Sequence, residues 1–107
     1  DAEDHAARLD HDNSSLATAA VYDRRGNYLF VALETSRQVA VVDAHGRWEM
    51  FRIDVGRAPQ ALALSPDGLQ LYVSNFMDRT VGVFDLEPLL VRGIADVPAV
   101  TTLNAIG

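Results

Sequence analysis

Short apolar runs alternate along this chain with clusters of Gly, Pro, Asp, Asn and Ser, and the runs are too brief for helices. The pattern is sharpest over residues 57–85, RAPQALALSPDGLQLYVSNFMDRTVGVFD. It predicts strands at 61–64, 70–74 and 80–85. The SPDG turn at 65–68 and a polar loop at 75–79 separate them. The turn has a mechanism: Pro66 presets φ, Asp67 bonds its own backbone, and Gly68 accepts a positive φ.

The same pattern occurs earlier. Shifted by 42 positions, residues 17–43 fall on 59–85 without a gap. Ala19 meets Ala61, Gly26 meets Gly68, Leu29 meets Leu71 and Val31 meets Val73. Arg37, Val39, Val41 and Asp43 meet Arg79, Val81, Val83 and Asp85. The first unit therefore reads as strands at 16–22, 28–33 and 38–43. A Gly-containing turn at 44–47 leads to an outer strand at 48–55. Strict alternation there puts Trp48, Met50, Arg52 and Asp54 on one face, and Glu49, Phe51, Ile53 and Val55 on the other. After Asp85 the repeat breaks. LEPLLVRG at 86–93 suits a short helical or irregular insert, with Pro88 fitted to a first helical turn. An outer strand follows at 97–106.

A gapless self-match of this period, with several strands per unit, is the pattern of propeller blades. The second unit resembles the YVTN-type β-propeller repeat. SPDG at 65–68, LYVSN at 71–75 and TVGVFD at 80–85 sit where that family has its SPDG, its YVTN and its strand ending in Asp. The first unit departs further, with DRRG at 23–26 and FVAL at 30–33 in the corresponding places. The resemblance covers residues 17–85. It implies an all-β fold of two four-stranded antiparallel blades, an incomplete β-propeller. The divisions expected are a connector or the end of a preceding blade at 1–15, a blade at 16–56, and a blade at 57–107 with an insert near 86–96. The competing fold is a small independent sandwich with a repetitive sequence.

The length of 107 residues holds about two blades, whereas closed propellers use roughly four to eight. Together with an opening Asp1, this leads us to expect a segment of a larger protein. Net charge is −6, and the nine basic residues are all Arg and scattered, so nucleic acid is not an expected partner. No apolar run is long enough for a membrane helix. Zero Cys excludes disulfides, Cys-ligated zinc and a CxxCH haem attachment within these residues. No cofactor is expected inside them.

In a four-stranded blade the connections alternate between two ends. Loops 10–15, 34–37, 56–59 and 75–79 share one end. Turns 23–27, 44–47 and 65–68 share the other. Propeller ligands commonly sit at the first end, which makes His11, Asp12, Asn13, Arg57, Asn75 and Arg79 the candidate ligand-binding residues. Each has an ordinary alternative: His11, Asp12 and Asn13 as a solvated connector, Asn75 as turn chemistry, and Arg79, like Arg37, as a partner of acidic neighbours. No His pair falls at a metal-ligand spacing. No GxSxG, HExxH, P-loop or GxGxxG motif is present.

A narrower resemblance concerns LDHDNSS at 9–15, VGRAP at 55–59 and NFMDRTV at 75–81. These look like the last blades of bacterial propellers joined to a c-type, di-haem peroxidase-like domain. The resemblance implies a binding or scaffold module of an exported, periplasmic or extracellular protein, with a haem domain among its partners. The alternative is part of a propeller enzyme, lactonase-like or dehydrogenase-like, with its active site on the loop end. Two blades also leave apolar faces open, so other blades or a second copy are expected partners. Tyr22, Phe30, Val39 and Val41 in one unit and Leu64, Tyr72, Val81 and Val83 in the other are the expected occupants of those faces.

Overall fold

The computed structural model describes residues 16–104. Eight strands form two sheets. The first is β1 (Ala17–Tyr22), β2 (Tyr28–Leu33), β3 (Gln38–Asp43) and β4 (Trp48–Asp54), in that spatial order. The second is β5 (Pro59–Leu64), β6 (Gln70–Asn75), β7 (Thr80–Asp85) and β8 (Ala99–Asn104), also in sequence order. All pairings are antiparallel, and the two sheets stack without closing. Among the described residues one short helix, α1 (Glu87–Arg92), occupies the expected insert, with Pro88 in its first turn. Gly93 ends it at φ 66°.

The 42-residue repeat is kept down to backbone detail. Gly26 and Gly68 have φ of 74° and 75°, and Arg37 and Arg79 have φ of 54° and 53°. Thr18 and Gln60 each sit in a register shift opposite the next strand. The sheets meet most closely at their innermost strands, where the Thr18 hydroxyl donates to the Pro59 carbonyl at 2.6 Å.

The main core lies between the sheets. Phe30, Val39, Val41 and Ile53 of the first sheet pack with Leu71, Val73 and Phe84 of the second, and Leu86, Leu89 and Val97 extend the cluster through the insert. Fully burying a side chain such as Phe30 or Leu71 is worth about 1.5–3 kcal/mol. A second buried cluster, Leu29, Val31, Leu33, Ala40 and Val42, lies on the opposite face of the first sheet.

Three expectations need correction. Phe30, Val39 and Val41 are not on an open face, because the second sheet covers them completely. Leu64 is not on an open face either, whereas Tyr22 is 44% exposed. Tyr22 and Leu64 pair with Leu29 and Leu71, which puts Tyr22 on the second cluster's side and Leu64 against the main core. The alternation along β4 is broken by a register shift: Val41 faces Phe51 and Val42 faces Glu49, so Met50 is the extra residue. That bulge brings Glu49 and Arg52 together as an ion pair at 3.1 Å. In the Gly-containing turn at 44–47 the left-handed residue is Arg47, at φ 59°.

Candidate functional site

At the end of the blades expected to bind ligands, Asp78 organises the backbone. It accepts from the Arg57 backbone N–H at 2.7 Å and from Arg57 Nε at 2.5 Å. The Arg57 backbone N–H, then its side chain, hold the Asp78 carboxyl below the ordinary aspartate range, and Arg37 adds to the effect. Gly56 lies directly over this pair: a Cβ there would fall 2.7 Å from Asp78 Oδ2 and 2.8 Å from Asn75 Cγ.

Asn75 is buried beneath Gly56. Its Nδ2 donates to Thr80 Oγ1 at 3.3 Å, while its buried Oδ1 has no hydrogen-bond partner. The equivalent residue one repeat earlier, Leu33, is fully buried and apolar. Arg79 takes the left-handed conformation, and its N–H donates to the Phe76 carbonyl. Neither Arg79 nor Arg37 forms a salt bridge among the described residues, although Arg37 lies near enough to Asp78 to act on its carboxyl.

A shallow cleft of about 330 Å³ opens here, lined by Glu34, Thr35, Arg37, Arg57, Ala58 and Met77. Of the candidates, Arg57 lines it; Asn75 and Arg79 do not. His11, Asp12 and Asn13 lie outside the described residues. Among the described residues no three His, Cys, Asp or Glu side chains gather as a metal-holding group.

The larger cleft is at the opposite end and encloses about 710 Å³, within the range of ligand pockets. Its walls are the two repeat-equivalent turns and the C-terminal half of α1. The turns close in the same way. Gly26 N–H donates to the Asp23 carbonyl, as Gly68 N–H does to that of Ser65. Their side chains differ. In the first turn Asp23 accepts from the N–H groups of Tyr28 and Arg25. In the second, Ser65 Oγ accepts from Gln70 N–H and donates to Asp67, which also accepts from Leu69 N–H. The Ser65 hydroxyl and then the Leu69 N–H hold the Asp67 carboxyl below its ordinary range, and Arg24 contributes further. Arg24 crosses from the first turn to the second and donates to the Pro66 carbonyl at 3.1 Å.

Sequence reasoning placed these turns correctly but did not assign them a cleft. Two signals bear on it: DRRG stands where the second unit has SPDG, and the insert after Asp85 has no counterpart in the first unit. The insert supplies the third wall.

No family model matches the chain, and no curated protein matches it. Solved structures do. Hydrazine synthase of Kuenenia stuttgartiensis is 24% identical, with a TM-score of 0.71 over 83% of this chain and 23% of that one. The Cps50 (Swd1) β-propeller domain of Myceliophteria thermophila is 20% identical, with a TM-score of 0.75 over 91% and 31%. The periplasmic gluconolactonase PpgL of Pseudomonas aeruginosa is 19% identical, with a TM-score of 0.68 over 87% and 27%. The chain thus spans under a third of each of these. At such identities the likeness concerns the fold alone, and the fold is that of two β-propeller blades.

Proposed function

We propose that this chain is a non-catalytic scaffold and binding module of a longer exported protein. In this reading its second sheet receives another β-sheet, and its loop ends carry ligand or protein contacts. One observation supports this above others: two repeat-equivalent faces differ in cover. Phe30, Val39 and Val41 are fully buried beneath the second sheet. One repeat on, Val83 is buried like its equivalent Val41, but Tyr72 and Val81 are only partly buried, and beside Val81 on β8 Leu103 is 53% exposed. A face with the same strand pattern therefore lacks the cover its twin has. The occupant whose shape fits it is a sheet presenting the apolar side that Leu71, Val73 and Phe84 present to Phe30.

Methyl NMR with a soluble paramagnetic probe tests this. The methyl groups of Val81 and Leu103 should become protected as protein concentration rises. Unchanged bleaching at every concentration would remove the support.

The resemblance of residues 55–59 and 75–81 to cytochrome-linked propellers supports a haem domain nearby in the parent chain. A CxxCH motif downstream in the full reading frame would test that. An enzymatic reading has one observation in its favour, the fold likeness to a periplasmic gluconolactonase. Gluconolactone hydrolysis by this chain above the buffer rate would overturn the non-catalytic reading.

A further inference from the structure

The larger cleft, at one of the loop ends to which the proposed function assigns contacts, combines three features. First, it collects three guanidinium groups, Arg24 and Arg25 from one turn and Arg92 from α1, in a chain whose net charge is −6. Second, its two carboxylates are already engaged in their own turns. Asp23 accepts backbone N–H groups at 2.7 and 3.1 Å, and Asp67 accepts a hydroxyl and a backbone N–H at 2.6 and 2.9 Å. Arg24 spends one N–H on a carbonyl, and Arg92 pairs with Glu87 at 2.9 Å. Arg25 has no side-chain partner among the described residues. Third, beside Asn27 and Tyr28 the lining has an apolar wall: Leu89 is buried at the floor, while Leu69 and Val91 are 37% and 64% exposed at the rim.

We propose that this cleft binds a small organic carboxylate carrying an apolar group. Guanidinium donors match the two oxygens of a carboxylate in a fixed fork, which a neutral polar group cannot reproduce. Arg25 is the free fork, and Arg24 is held beside it by Pro66. The leucine and valine side chains of α1 and Leu69 take the apolar body. Because α1 is the element that breaks the repeat, the first blade has no equivalent of this site. The proposal is independent of the open sheet face, which lies elsewhere on the second sheet.

Benzoate serves as the probe, with benzyl alcohol as its neutral counterpart and inorganic phosphate as an anion without an apolar body. Amide NMR on the full 107-residue chain should show saturable benzoate shifts at Arg25, Gly68 and residues 90–93, with a Kd of about 1 mM or tighter. Arg25→Gln, an exposed turn change, should keep a dispersed spectrum and weaken benzoate about tenfold. Val91→Ser should weaken benzoate as well. Three results would each overturn the proposal: no saturable shift, equal binding of benzyl alcohol, or phosphate matching benzoate.

Discussion

Arg24 rests across Gly68, so that one repeat's turn grips the next through a position where no side chain fits. A Cβ on Gly68 would fall inside the contact distance of Arg24 Cδ and 2.8 Å from its Cγ. The guanidinium beyond it reaches the Pro66 carbonyl, which is Arg24's own repeat equivalent. Glycine is needed here twice over, for the φ of 75° and for the crossing side chain.

Gly26 separates those two needs. Its φ is 74°, but nothing lies within 4 Å of a Cβ built there. Gly26→Ala should therefore cost about 1–2 kcal/mol from backbone conformation alone. Gly68→Ala should cost measurably more, because Arg24 must also leave. Gly68→Val should also exceed Gly46→Val. Gly46 has no positive φ, and its crowding is against Trp48, an exposed side chain that can swing away. Thermal melts of the four variants check the order; equal shifts for Gly26→Ala and Gly68→Ala would contradict the crossing.

Much of this was readable from residues. The positive φ at Gly68 follows from SPDG, a helical option for the insert from Pro88, and the blade plan from the 42-residue shift. The bulge at Met50 was not readable, since alternation alone cannot announce an extra residue; only the partner strand shows it. Nor could alternation say that Phe30 faces the neighbouring sheet while Leu29 faces away, because both positions are apolar. The cleft beside α1 depends on how an insert folds back, a long-range contact with no local signal. Of the six candidate residues, Arg57 lines a cleft and Asn75 is buried behind it. Arg79's place was legible only as a turn.

Acid should weaken the ties at both ends of the blades. Asp67 and Asp78 have folded pKa values below those of the unfolded chain. Their stabilisation is therefore fully present above the unfolded value of about 3.9 and is lost as pH falls through the lower folded values. Melting temperature should drop as pH is lowered from 5 toward about 2. Asp78→Asn should lower stability near neutrality and flatten that drop. A variant with the wild-type pH profile would show that Asp78 contributes nothing.

Asn75 carries a buried oxygen without a partner where its twin is Leu33. An unpaired buried polar atom costs about 1–3 kcal/mol, more than the bond Nδ2 makes to Thr80 is worth. Asn75→Leu should therefore stabilise the chain by about 1 kcal/mol in denaturant titration. Destabilisation of that size would mean that Oδ1 is satisfied in solution.

Phe30 and Leu103 test the inner core against the open face. Phe30 is fully buried between the sheets, so Phe30→Ala should cost about 3–5 kcal/mol and could abolish cooperative unfolding. Leu103→Ala, at a half-exposed site, should change monomer stability by less than about 0.5 kcal/mol. A comparable loss from both would contradict the assignment of the two faces.

The open face of the second sheet is tested most directly by light scattering at micromolar concentration. The 107-residue chain should scatter as an assembly, first as a dimer at twice the mass of one chain. Val81→Glu with Leu103→Glu should return it to a folded monomer. A wild-type chain that stays monodisperse at 11.7 kDa and melts cooperatively would contradict an uncovered blade face.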